Sequence, residues 1–273
     1  METDKFHTKY SDADQLKKYA DDLVKIYQSE KQKRKELEAA NLQLIKYGHD
    51  LGRSISELKA ANLELQKAYL DTIHRLVIAA EYRDEDTGDH IIRIGRYSAL
   101  IAEKLGIPVL SPKDMLYAAP MHDIGKIGIP DHILLKPGKL TDEEFDIVKT
   151  HTTIGAKILS NSNAKIIILA EQIALSHHER WDGQGYPNGL SGKDIPLAAS
   201  VVAIADVFDA LTSKRPYKKA FPVKVALDIM KKERGKHFDP DVLDIFLTNI
   251  DKILKIRAKI KKDDFFAFKL PLE

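Results

Sequence analysis

A chain of 273 residues with 44% hydrophobic content is long enough to bury a substantial core. Its 43 Lys and Arg residues against 41 Asp and Glu leave a formal charge of +2, so no global field steers nucleic acid or an anionic membrane, and any phosphate recognition must be local. The absence of cysteine excludes disulfides, thiolate zinc sites, iron–sulfur clusters and cysteine nucleophiles; metal ligands must come from His, Asp and Glu, which points to harder metals.

The N-terminus, METDKFHTKYSDADQLKK, lacks the apolar stretch of a signal peptide, and no run approaches the roughly 18 apolar residues of a membrane span. A cytoplasmic location is expected, with neither a membrane nor DNA as partner. From Leu16 a seven-residue step lands on Leu16, Leu23, Glu30, Leu37, Leu44, Leu51, Leu58, Leu65 and Thr72, amid charged and polar residues. This is a heptad seam. With these residues at d, the a positions are Ala20, Tyr27, Arg34, Asn41, Gly48, Ile55, Asn62 and Tyr69. Two asparagines at a fix the register of a parallel dimer. The segment ELEAANLQL returns as ELKAANLEL after 21 residues, three whole heptads, so the phase survives the interruption at Gly48 to Gly52. Residues 1–72 are therefore expected to form a coiled-coil homodimer. The alternative is one amphipathic helix folded back on the main domain.

From about residue 73 the pattern predicts shorter helices with deeper apolar faces, forming a domain over residues 73–257. Ile73, Leu76, Val77 and Ala80 make one stripe; Ile91, Ile94, Ser98, Ile101 and Leu105 make the next, stopped by Gly106 and Pro108. Ser111 and Pro112 start another helix, and Thr141 with Glu144 forms a capping box for one running towards Leu159. Helices over Ile166 to Glu179, Leu197 to Ser213, Pro222 to Arg234 and Pro240 to Ile256 complete the set. No period-two runs joined by hairpin turns persist, so the fold class is all-α. The tail, residues 258–273, joins a basic run to Phe265, Phe266 and Phe268.

Imidazoles and carboxylates recur along these helices. In RDEDTGDH, Asp86 and His90 lie one turn apart if the segment is helical. His122 and Asp123 are adjacent in MHDIGKIGIP, with Lys126 one turn on; His151 lies in the helix after Thr141; His177 and His178 precede a loop with four glycines, WDGQGYPNGLSG. Asp206 sits in the apolar helix VVAIADVFDAL, where a buried carboxylate without a partner costs several kcal/mol. Singly, each has an ordinary structural explanation. Together they are a set without thiols spread over successive helices.

HDIGKIGIP, HHERWDGQGYP, IADVFDALTSKRPYK and GKHFDP, in that order, resemble the HD-GYP family, a branch of the HD-domain metal-dependent phosphohydrolases, over roughly residues 73–250. The resemblance implies an all-α domain that hydrolyses the second messenger cyclic di-GMP to pGpG, GMP or both with a metal-activated water. It implies the metal ligands Asp86, His90, His122, Asp123, His151, His177, His178 and Asp206, with Asp123 as bridge, for two or three divalent ions, iron or manganese. Asp86 stands where a third-metal subgroup carries Glu, one methylene longer. His122, Asp123 and Lys126 are the expected catalytic residues; Lys126, Arg215 and Lys218 match the phosphate contacts. Asp84 and Asp209 are expected to contact substrate or orient ligands, Tyr186 to contact substrate, and Gly183, Gly185, Tyr186 and Pro187 to shape a rim beside the metals. His237 is expected to serve local structure. Two further readings stay open: a cyclic-dinucleotide receptor whose GYP rim docks a partner such as a GGDEF-domain protein, and a phosphodiesterase for another cyclic dinucleotide.

Overall fold

The computed structural model describes residues 12–81, 89–213 and 220–260. By contacts the chain divides into two units, Met1–Ala68 and Tyr69–Glu273. Asp84, Asp86, Arg215, Lys218 and the aromatic tail lie outside the described residues. Among the described residues all regular structure is helical, apart from isolated bridges at Asp182–Ser191 and Arg234–Phe238. No described helix is long and apolar enough to cross a membrane.

The first unit consists of the greater part of one helix, α1 (Asp12–Glu81), which runs unbroken through Gly48 and Gly52. Every residue from 12 to 69 is exposed, and the leucine seam is among the most exposed apolar surface, with Leu16, Leu23, Leu44, Leu58 and Leu65 each between 66% and 71% accessible. The expected change of element near residue 73 does not occur, because that sequence supports the same 3.6-residue period. What changes is burial: Leu70, Val77 and Ala80 enter the core of the second unit, whereas Leu76 points outward at 62% exposure.

In the second unit α2 (Asp89–Leu105) buries Ile91, Ile94, Tyr97 and Ile101 on one face and stops at Gly106, whose φ of +64° suits a residue without a Cβ. Ser111 caps α3 (Pro112–Ala118), as expected, accepting from the Asp114 amide. Two 3-10 turns, Ala119–Met121 and Ile124–Gly128, flank the His122–Asp123 pair and lead into α4 (Asp131–Leu134). The Thr141–Glu144 capping box opens α5 (Asp142–Lys149), but the helix does not run through to Leu159. Thr150 turns its hydroxyl back to the Ile147 carbonyl at 2.6 Å, and a separate helix, α6 (His151–Leu159), starts beyond it.

Helices α7 (Lys165–Ser176) and α8 (Leu197–Thr212) are the most apolar, and α8 is almost entirely buried, from Ala198 to Phe208 and Thr212. It is the axle of the core, with α2, α7, α9 (Val223–Lys232) and α10 (Pro240–Thr248) packed on it. The single helix expected over Pro240 to Ile256 is two. Asn249 donates its side-chain amide to the Ile245 carbonyl at 2.9 Å, competing with the backbone ladder, and α11 (Ile250–Lys259) starts afresh.

One close approach decides where the central residues lie. A Cβ on Gly125 would fall 1.9 Å from the His151 carbonyl oxygen and 2.5 Å from the Gly155 amide. Only glycine lets the turn after Asp123 lie directly on α6, which brings His122 and Asp123 up to His151.

Candidate metal centre

Five histidines and two aspartates converge inside the second unit. Asp123, His151, His177 and His178 form one group and His90, His122 and Asp206 another, each with one ligand atom per residue within 4.8 Å of the others. His90 comes from α2, His122 and Asp123 from between the two 3-10 turns, His151 from the start of α6, and Asp206 from the middle of α8. His177 is the C-terminal cap of α7 and His178 follows it, so the helix end turns both rings inward. Seven of the eight residues expected as ligands are thus brought together; Asp86 lies outside the described residues.

Asp123 sits between the groups. Its Oδ1 faces His151 Nε2 at 3.2 Å and His177 Nε2 at 3.5 Å; its Oδ2 faces Lys126 Nζ at 2.8 Å and His122 Nε2 at 3.3 Å. His122 Nε2 is also 4.0 Å from Asp206, and His90 Nε2 is 3.7 Å from it. Burial opposes charge on Asp123, but the Lys126 ammonium and the imidazoles of His122 and His151 overcome it and hold the carboxyl well below its usual range. For His177 and His178 burial dominates and lowers the pKa, well below the ordinary imidazole value at His178, so both rings are neutral and carry a lone pair. Burial opposes charge on His122 too, yet Asp123 and Asp206 raise its pKa.

The tautomers give a physical test of whether the residues fit a cation. His122 Nδ1 lies 3.1 Å from the Ala119 carbonyl, His151 Nδ1 2.7 Å from Val148 and His177 Nδ1 3.1 Å from Ile173, while His90 Nδ1 lies 2.8 Å from the Asp209 carboxylate. These partners can only accept, so each Nδ1 carries a hydrogen, and a ring without a second proton turns a bare Nε2 lone pair inward. At His151 and His177 those lone pairs lie 3.4 Å from each other and face Asp123 Oδ1. Electron pairs so arranged repel unless a cation stands among them. His122 Nε2 and Asp123 Oδ1 are accordingly buried without a hydrogen bond, despite neighbours at ion-pair distance. The donor set, imidazole and carboxylate with no thiolate, suits divalent first-row ions.

Two positioning residues, Arg93 and Glu179, were not foreseen from the sequence. Arg93, one turn after His90 in DHIIRIGR, grips Asp209 through Nε at 2.5 Å and Nη2 at 2.9 Å, so Asp209 is held from both sides, by Arg93 and by His90. The i,i+3 spacing of His90 and Arg93 was the available signal. Glu179, only 2% exposed, accepts from the amides of Asn188 and Leu190 at 2.8 and 3.0 Å and so ties the far side of the glycine loop to the end of α7. Gly185 lets the loop cross that helix end, since a Cβ there would lie 2.3 Å from the Arg180 amide. Tyr186 is thereby set beside His178, with ring centroids 4.8 Å apart and its amide bonded to the His178 carbonyl. His237 offers its carbonyl to the Trp181 amide at 3.1 Å and takes no part in either group, in keeping with the structural role expected of it.

The profile of the HD domain family matches residues 75–242 of this chain. A cyclic di-GMP phosphodiesterase from Thermotoga maritima is 46% identical over 201 residues, 74% of this chain and 55% of that protein. A 3′3′-cGAMP-specific phosphodiesterase from Vibrio cholerae is 35% identical over 235 residues, 86% of this chain and 44% of that protein. Among solved structures, a cyclic GMP-AMP-specific phosphodiesterase from V. cholerae superposes with a TM-score of 0.50 at 18% identity, over 73% of this chain and 51% of the other, a likeness of fold. The chain spans about half the length of the curated relatives it matches.

Proposed function

The chain belongs to the HD domain family, in its HD-GYP branch, and from that premise we propose that it hydrolyses cyclic di-GMP at a multinuclear centre built on Asp123. The observation that carries this reading is the set of inward-facing Nε2 lone pairs around the Asp123 carboxylate, which needs cations and has the ligand chemistry for more than one. The proposed ligands are His90, His122, Asp123, His151, His177, His178 and Asp206, with Asp86 added if a third ion binds; iron and manganese suit the donors. Divalent ions in such a site supply Lewis acidity and a water made acidic enough to attack phosphorus.

The chain's own residues account for the rest. Asp123 presents one oxygen to each group of ligands and is the natural bridge. Asp209, held by Arg93, fixes the His90 tautomer with Nε2 turned inward. Lys126, with its ammonium 2.8 Å from Asp123 Oδ2, stands at the edge of the centre, where it can stabilise charge growing on a non-bridging phosphoryl oxygen. Arg215 and Lys218 are proposed to hold the second phosphate, and Tyr186 with its glycine loop to wall one side against water.

The test is a time course under anaerobic conditions with iron- or manganese-loaded protein, offered cyclic di-GMP and 3′3′-cGAMP separately and resolved by chromatography. Faster conversion of cyclic di-GMP to pGpG or GMP is expected. A preference for 3′3′-cGAMP would move the assignment to the reading that the V. cholerae relative suggests, and tight binding of cyclic di-GMP without hydrolysis would favour the receptor reading.

The exposed seam of α1 is proposed to pair with a second copy as a parallel coiled coil. A helix that buries nothing between residues 12 and 69 has little to stabilise it beyond its own hydrogen bonds and exposed ion pairs such as Arg34–Glu38, and leucines at most of the seven-residue steps supply an apolar seam in a dimer. Sedimentation of the full chain is expected to give a dimer, and of a chain beginning at Tyr69 a monomer. A monomeric full chain would refute the pairing.

A further inference from the structure

Helix α5 has no buried residue, yet it brings a large aromatic side chain to the edge of the metal centre. Phe145 is 44% exposed, and its ring meets that of Tyr186 edge to face at 6.3 Å and 83°. Tyr186 in turn lies 4.8 Å from the ring of His178 and 6.4 Å from that of His151. The Lys149 ammonium, one turn along α5, stands 4.9 Å from the Phe145 centroid and 6.0 Å from that of Tyr186, while paired with Asp146 at 2.7 Å. An unbroken path of rings thus leads out from the cluster of ligands to an exposed aromatic face with a cation beside it.

Core packing does not explain Phe145, because α5 contributes nothing to the core. Solvation does not explain it either, since a ring left nearly half in water against another aromatic gains little from where it is. Stacking a flat ligand does. Resting on the phosphodiesterase reading, we propose that Phe145 and Lys149, with Tyr186, form the subsite for a guanine base of the substrate: the base stacks on Phe145 while the Lys149 ammonium donates to its O6 and N7 acceptors. A base lies one sugar away from its phosphate, so a diester held at Asp123 can put its base on this side of the site, where Phe145 and Tyr186 present an aromatic surface. The cation adds selectivity. Guanine offers two adjacent acceptors on that edge, whereas adenine offers one acceptor and one donor.

The experiment uses the full chain loaded with manganese, as wild type, Phe145→Ala and Phe145→Trp, with cyclic di-GMP and with methyl 4-nitrophenyl phosphate, a diester without a purine. Phe145→Ala is expected to raise KM for cyclic di-GMP about 5- to 150-fold, the span measured for removing one base–aromatic stack. Phe145→Trp should restore it, kcat for cyclic di-GMP should stay within about 2-fold, and kcat for the nitrophenyl diester, whose own ring can stack and so change KM, should be the same in all three proteins. Unchanged KM in Phe145→Ala would overturn the subsite and leave the phosphodiesterase reading standing. Equal losses of kcat on both diesters, unrelieved by Trp, would also overturn it, since they would make Phe145 a support for the Tyr186 loop. A wild type that cleaves the nitrophenyl diester but not cyclic di-GMP would overturn the substrate assignment and the subsite together.

Discussion

Asp123→Asn is expected to lower hydrolysis of cyclic di-GMP by about three orders of magnitude or more while leaving the helical fold intact. The substitution keeps the shape of a side chain that is 7% exposed, so no cavity forms. It removes the one negative charge placed between the Nε2 atoms of His151 and His177 on one side and Lys126 and His122 on the other. Without that charge the two groups of ligands no longer share an anion, and the ions they would hold repel each other uncompensated. An amide can in addition donate to the inward lone pairs, so the variant without metal should melt no lower than the wild type, or even higher. The measurements are metal ions per chain by elemental analysis, melting followed by circular dichroism, and product formation. Full metal content with wild-type turnover would show that Asp123 does not bridge and would sink the proposed centre. Lost turnover in a protein that has unfolded would make Asp123 a structural residue instead.

How much of this was legible beforehand differs by scale. The helices could be read because their signals are local: Ser111 before Pro112, Thr141 three residues before Glu144, and leucines at most seven-residue steps along α1 all act within a turn or two of themselves. Breaks that depend on one polar side chain turning back on its own helix, at Thr150 and Asn249, were missed because the same residues are tolerated in mid-helix when they point to water. The residues expected as ligands were legible as a family pattern, and the convergence of seven of them in two groups gives that expectation a physical basis. Their supports were harder to see. Gly125 matters because of a backbone 26 residues further on, Glu179 because of amides 9 and 11 residues away, and Arg93 because of a carboxylate 116 residues later. Such long-range partners leave no periodic trace in the chain.

The Arg93–Asp209 pair allows stability and metal binding to be separated. Asp209 is 1% exposed and accepts from His90 Nδ1 and from two Arg93 nitrogens, while the Arg93 side chain is only 12% exposed and reaches the Ser213 hydroxyl at 3.3 Å besides. Burial opposes charge on Asp209, but the bonds from His90 and Arg93 hold its pKa well below the ordinary carboxylate value, so it is an anion. Asp209→Ala therefore leaves a guanidinium in the interior with no counter-charge, which is expected to cost about 3–5 kcal/mol in urea unfolding of the protein stripped of metal. Pairing it with Arg93→Met removes both charges, and because a buried ion pair can often be exchanged for apolar side chains at little cost, most of that stability should return. Metal affinity should not return with it. Both variants lack the acceptor that keeps the hydrogen on His90 Nδ1 and the lone pair on Nε2, so both should bind the metal about 10- to 100-fold more weakly than the wild type. If the double variant regained metal affinity along with stability, the orientation of His90 would be set by packing in α2 rather than by Asp209; if Asp209→Ala alone lost no stability, the guanidinium of Arg93 would have found water in place of its partner.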